Sequence, residues 1–153
     1  MNEAPANTLI LQDHEETFVL LIAEALFCIL EDGKLSLSLA TEPHPSMGEA
    51  VFTFERVPVE DGLTSGTVLS IPYAQGERYS LEAASTHLYF GAHDDPLHTQ
   101  VTVTSSSPEA LEIAGQFLWH ELYHPESGTM RYAQARLHAW CRRAEKDALR
   151  VLM

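Results

Sequence analysis

The chain has 153 residues, 45% of them hydrophobic, which is the size of one ordinary domain that buries its own core without disulfide or metal support. Its formal net charge is −13, and six of its nine bases follow residue 130. Such a surface repels nucleic acid phosphates and anionic membranes, so we expect no direct nucleic acid binding and no membrane association. It favours a protein partner with a basic surface, unless the acidity serves only solubility.

The two cysteines and the N-terminal sequence predict the cellular compartment of the protein. Cys28 and Cys141 follow no spacing pattern, which is typical of buried thiols in a reducing environment rather than of a disulfide framework. The apolar run 18–30 has no basic residues before it and is too short to span a bilayer. We therefore expect a soluble cytoplasmic protein with a single domain over residues 1–153, frayed at residues 1–7.

The first element is ambiguous between helix and strand. Apolar residues run almost continuously from Asp13 to Leu30, and their length and alanines predict a helix to about Ala25. Asp32 and Gly33 lie between two apolar runs, which is a strong hairpin pattern. We therefore predict a strand from Leu26 into this turn.

Strand patterns then recur at short intervals. Leu35, Leu37 and Leu39 alternate with serines, the period of a half-buried strand. Turns rich in proline and glycine separate the further predicted strands, which cover 50–57, 67–73, 87–92 and 97–104. Because short links join them, consecutive strands should pair as an antiparallel meander.

Two helices are predicted to close the chain. Ser107 is a good N-cap before a helix that runs to about Tyr123, where Pro125 stops it. The last helix should cover about 130–152, and its apolar stripe comprises Met130, Ala133, Leu137, Trp140, Cys141, Ala144, Ala148 and Val151. This stripe would place Trp140 in the core or at a homodimer interface formed by the helix. The predicted fold is α+β: an antiparallel sheet of about five to six strands, an N-terminal helix and two C-terminal helices.

One string points to a specific chemistry. His120, Glu121 and His124 form H-E-L-Y-H, and on a helix two histidines at i and i+4 share a face that binds zinc, with the glutamate as general base. Pro125 argues against this interpretation, because a residue before proline favours extended geometry and His124 would be a poor helical ligand.

A third zinc ligand is available on the predicted last helix. The string Glu145-Lys146-Asp147-Ala148 resembles the local context of the third ligand in zinc peptidases of the HExxH-plus-glutamate type, over four residues. That resemblance implies Glu145 as a ligand. The alternative is an exposed ion-pair face in which Glu145 lies near Arg142 and Arg143.

A second histidine and carboxylate group lies in a predicted turn. It comprises His93, Asp94, Asp95 and His98. These side chains are suitable ligands for zinc or manganese, but aspartates also stabilise turns by bonding their own backbone, and a polar hairpin loop is the preferred interpretation.

Two functional hypotheses follow. The first is a small non-catalytic module that needs no cofactor and occupies a basic or apolar surface of a protein partner, as inhibitors, immunity proteins and small secretion chaperones of this size and acidity do. Its candidate partner-binding residues are Glu31, Asp32, Glu60, Asp61, Asp94 and Asp95. The second is a compact zinc metallopeptidase in which His120, His124 and Glu145 bind the metal and Glu121 is the base.

Overall fold

The computed structural model describes residues 4–13, 16–59, 63–71, 84–90, 93–94, 96–120 and 132–150. Within these ranges the chain is almost entirely β-structure, and its one helix is a single 3-10 turn at Lys146–Ala148. The strands are β1 (Thr8–Gln12), β2 (Thr17–Ile29), β3 (Leu35–Thr41), β4 (Val51–Val57), β5 (Val68–Ile71), β6 (Ser85–Tyr89), β7 (His93–Asp94), β8 (Leu97–Ser106), β9 (Ala110–His120) and β10 (Tyr132–Arg143). The predicted α+β fold with three helices is therefore wrong.

All ten strands belong to one strongly curved sheet in the order β5-β8-β9-β10-β1-β2-β3-β4-β6-β7. Its pairings are antiparallel, except where β10 passes the start of β1 and pairs in parallel with β2, Arg142 beside Leu26. β5, at one end of the order, contacts β4 near the other end, so the sheet almost closes on itself. Among the described residues no helix has the length and apolar character that a bilayer crossing requires.

The inner face of the sheet is the hydrophobic core. Phe52 of β4 stacks on Phe117 of β9 with ring centroids 4.9 Å apart, although four strands lie between them in the sheet order. Trp119 is fully buried and its indole N–H donates to the carbonyl of Gln12 at 3.3 Å. Side chains from opposite walls thus fill the interior, which leaves the outer surface for recognition.

The predicted N-terminal helix is part of β2. Phe18 and Leu20 are buried while Val19 and Leu21 are half exposed, an alternation that only a strand produces. The apolar run misled the prediction because both faces of this strand carry large apolar side chains.

The helix predicted from Ser107 to Tyr123 is wrong over its described part, where the chain forms β9. The Ser107 hydroxyl accepts a hydrogen bond from the Ala110 N–H at 3.2 Å, the bond expected of an N-cap. Here the Ser107 N–H also donates to the Ala110 carbonyl, which closes a tight hairpin between β8 and β9. Serine bonding three residues ahead serves a turn and a helix start equally well.

The predicted last helix is β10 over residues 132–143. Ala135, Leu137, Ala139 and Cys141 are buried, with period two. Trp140 is 47% exposed, so its predicted place in the core is wrong. The predicted homodimer depended on a C-terminal helix. The residues of that helix form the strand β10 instead, so this basis for the homodimer is absent.

Part of the outer face is covered by the chain beyond β10. Ala144 N–H donates to the Phe27 carbonyl at 2.9 Å, and Arg150 N–H donates to the Ser38 hydroxyl at 3.1 Å. The segment 144–150 therefore crosses outside β2 and β3. Every side chain of β3 is buried as a result of this cover and of the core beneath.

Candidate functional site

The H-E-L-Y-H string does not begin on a helix. His120 is the last residue of β9, where it pairs with Tyr132, and Glu121 and His124 lie outside the described residues. The zinc hypothesis assumed that its two histidines lie on a helix, but the first of them, His120, lies in a strand.

The structure does not bring His120 and Glu145 together. Ala110, at the start of β9, pairs with Arg142, only three residues before Glu145. His120 is at the other end of the same strand, about 30 Å away along the chain at roughly 3.3 Å per residue. No group of three or more histidine, cysteine or acidic side chains in the described ranges is arranged to hold a metal.

The other candidate residues fall in separate parts of the chain, and only some of them are described. Glu31 and Asp32 are exposed in the turn between β2 and β3, where Asp32 forms a 3.6 Å ion pair with Lys34. Asp94 belongs to the short strand β7 opposite Leu88. Glu60, Asp61 and Asp95 lie outside the described residues. His93 also falls in β7, and His98 is an exposed residue of β8.

An exposed apolar surface lies on the outer face of β2 and β10. Val19 is 49% exposed, Leu21 55% and Trp140 47%. Asn7 links the two strands beside these residues: its side-chain oxygen accepts a hydrogen bond from the backbone N–H of Trp140 at 3.1 Å, and its carbonyl accepts one from the Ile22 N–H at 2.9 Å. Val19, Leu21 and Trp140 are called the outer apolar face below.

Acidic residues border the outer apolar face. Glu42 N–H donates to the Leu21 carbonyl at 2.8 Å, which makes the exposed Glu42 the cross-strand neighbour of Leu21. Glu24, also exposed, is three residues further along β2 and pairs with Ala40. Apolar side chains with carboxylates at their edge are suited to a partner that offers apolar and basic groups together.

A second feature is a cleft of about 1310 Å³ at the end of the sheet where β2, β4 and β10 finish. Five bases and five acids line it, together with apolar residues of β2 and of segment 144–150; the bases are Arg56, Arg142, Arg143, Lys146 and Arg150, and the acids are Glu31, Asp32, Glu55, Glu109 and Glu145. Five of the nine basic residues of a strongly acidic chain thus meet in one place. This cleft is called the end cleft below.

A buried polar cluster forms one wall of the end cleft. Glu55 accepts a hydrogen bond from the Thr53 hydroxyl at 3.0 Å and lies 3.6 Å from the Arg56 guanidinium and 3.8 Å from His87 Nε2. Burial raises the pKa of Glu55 above its usual 4.5, although the Thr53 hydrogen bond and the Arg56 charge act in the opposite direction. Ionisable groups with perturbed pKa values in a cleft are typical of functional sites.

Arg56 has an unusual backbone that fixes its side chain. Its φ is +57°, a conformation that residues other than glycine adopt rarely. Its N–H donates to the Ser36 hydroxyl at 2.9 Å and its guanidinium donates to the Ser85 hydroxyl at 3.0 Å. The surroundings therefore hold Arg56 in a strained position at the cleft wall.

No family model, no curated protein and no solved structure matches this chain. The functional interpretation therefore rests on the residues themselves. Sequence reasoning missed the outer apolar face because it placed these residues in helices, whereas it did identify the cluster of bases near the C-terminus.

Proposed function

We propose that this protein is a non-catalytic binding module that uses the outer apolar face to contact a protein partner presenting apolar and basic side chains. The observation that carries the proposal is the half exposure of Val19 and Leu21 on β2 and of Trp140 on β10, two strands that pair directly only beyond β1, in a sheet whose inner face is an apolar core. Exposed apolar side chains that the core does not require lower the solubility of a folded chain. A partner that buries these side chains removes that disadvantage.

In this proposal some acidic residues act at the contact with the partner and others act through the long-range electric field. Glu24 and Glu42 border the contact and select basic side chains on the partner. The acids predicted from the sequence, Glu31, Asp32, Glu60, Asp61, Asp94 and Asp95, contribute to the long-range field that steers the partner toward a body of net charge −13. We propose a cytoplasmic location, which the two buried free cysteines support.

Site-specific cross-linking tests the proposal. A photoreactive phenylalanine analogue at position 140, in protein added to extract of the native host, should link to a basic protein. The same analogue at Val68, which is 51% exposed on β5, is the matched control and should not link to that protein. Addition of Leu21→Gln to the protein labelled at position 140 should abolish the product. Equal labelling from positions 140 and 68 would contradict the proposal.

The zinc peptidase remains the second candidate because the sequence H-E-L-Y-H is present, but no described contact favours it. Cleavage of a partner, in place of stable capture, would support it. The exchange His120→Ala would then abolish cleavage without loss of binding.

A further inference from the structure

Three cations of the end cleft form no ion pair within the part of the chain that the structure describes. Arg56 pairs with Glu55, and Arg150 lies 3.5 Å from Glu49. Arg142, Arg143 and Lys146 are exposed and form no ion pair with a carboxylate of the described residues, although the chain has 22 acids for nine bases. Three such cations that form no ion pair with a described carboxylate are unexpected in so acidic a chain, and they are suited to an anion from outside.

Arg143 is the cation of this cluster that the structure holds in place. Its guanidinium donates to the Pro108 carbonyl at 3.2 Å and lies 6.0 Å from the centre of the Phe27 ring. The backbone N–H of Arg143 donates to the Glu109 carbonyl at 2.9 Å. The side chain is therefore oriented before any ligand arrives, which lowers the entropic cost of binding.

Apolar surface adjoins the cations. Ile29 and Leu30 at the end of β2 and Leu149 of the crossing segment are half-buried and line the same cleft. Burial raises the pKa of the Cys28 thiol in this wall, and the positive charges of Lys146 and Arg143 partly oppose that effect. Cations and apolar side chains therefore line the same cleft, where one small molecule can contact both.

We propose that the end cleft binds an organic anion, whose charged group lies against Arg142, Arg143 and Lys146 and whose apolar body lies on Ile29, Leu30 and Leu149. The cleft volume of about 1310 Å³ is ample for such a ligand, since sites for small molecules typically enclose roughly 300 to 1,000 Å³. The site is independent of the outer apolar face. Glu145 and Glu109 line the same cleft, and their negative charges oppose the binding of an anion there.

Two fluorescent probes that differ by one charge test the site. The full-length protein is titrated with 8-anilino-1-naphthalenesulfonate and with N-phenyl-1-naphthylamine, which lacks the sulfonate. The sulfonate should bind at least about tenfold more tightly, because hydrogen bonds between ions are the strong ones. The double exchange Arg142→Gln with Lys146→Gln should remove that advantage and leave the affinity of the neutral probe unchanged.

Control variants assign the binding to the cleft. Arg136→Gln removes one positive charge from β10 outside the end cleft and should leave the sulfonate affinity within about twofold. Glu145→Gln should tighten sulfonate binding, since it removes a repelling charge. Equal affinities for the two probes, or a sulfonate affinity that falls with Leu21→Gln and not with the cleft variants, would overturn the proposal.

Discussion

Leu21 and Glu42 are joined by a main-chain hydrogen bond of 2.8 Å, so that an exposed leucine and an exposed carboxylate project from the same face of the sheet. Neither residue is needed by the core. The pair combines an apolar anchor with a charge that selects basic neighbours, which are the two elements of a specific protein contact.

The two tryptophans should differ sharply in their contributions to stability. Trp140→Ala should lower the free energy of unfolding by about 1 kcal/mol, because about half of the side chain is already in water. Trp119→Ala should cost about 3 to 5 kcal/mol, since it opens a cavity in the core and removes the hydrogen bond to Gln12. Urea unfolding measures both. A loss above about 3 kcal/mol for Trp140→Ala would show that the ring is buried.

Glu55 should make stability depend on pH in a defined direction. Because its folded pKa is raised above 4.5, the folded state holds the proton more tightly than the unfolded chain does. Its contribution is complete below the unfolded pKa and is lost as the pH rises through the folded pKa. The stability of the wild type relative to Glu55→Gln should therefore fall as the pH rises above 4.5, the usual pKa of this group. Urea unfolding of both proteins at several pH values measures it, and a rising difference would show that Arg56 and Thr53 outweigh burial.

His138 fastens the N-terminal segment to the sheet. Its Nε2 lies 2.6 Å from Glu112 Oε2, and its Nδ1 accepts a hydrogen bond from the Asn7 N–H at 3.3 Å. We predict that His138→Ala and Glu112→Ala are coupled by about 0.5 to 1.5 kcal/mol in a double-mutant cycle of unfolding, since the pair is only partly exposed. Additive effects of the two exchanges would show that the contact is not formed in solution.

The purified protein should contain no stoichiometric zinc and should keep its unfolding temperature in the presence of a chelator. β9 extends to His120, so the helical spacing that brings two histidines onto one metal is not present at the first of them. Elemental analysis decides the question. One zinc per chain, lost on His120→Ala, would restore the peptidase hypothesis.

The strands were predictable where polar and apolar residues alternate, although β3, predicted to be half-buried, is buried on both faces. The helices were mispredicted where apolar spacing fits two periods. Leu37 and Leu39 alternate with serines, and β3 formed where expected. Leu137 and Cys141 are four residues apart, which puts them on one face of a helix and equally on one face of a strand. Only the intervening residues distinguish the two: Ala139 is buried and Trp140 is exposed. Because Ala139 is small and Trp140 is large and apolar, the sequence indicated the period of a helix instead of that of a strand.

The functional surfaces depend on pairings that local sequence does not specify. Glu42 lies beside Leu21 because β2 and β3 pair with an irregularity between Ile22 and Glu24. The end cleft exists because the end of β10 pairs in parallel with β2, more than a hundred residues earlier. The sequence did indicate that bases gather near the C-terminus, and three of them form the cation cluster of the cleft.

The two classes of acid should affect different rate constants of partner binding. Asp32→Lys, remote from the outer apolar face, should slow association and leave dissociation unchanged, because it alters only the long-range field. Glu42→Lys should slow association and speed dissociation, since Glu42 borders the contact. Surface plasmon resonance with the cross-linked partner, purified, measures both constants. Identical effects of the two exchanges would place Glu42 outside the interface.

The most direct measurement is the affinity of that partner for the double variant Leu21→Gln with Trp140→Gln, compared with Val68→Thr as an equally exposed control. If the outer apolar face is the docking surface, the double variant should bind at least about a hundredfold more weakly, because two anchors worth more than 1 kcal/mol each are lost, and the control should bind like the wild type. An affinity of the folded double variant within about threefold of the wild type would contradict the assignment of this face.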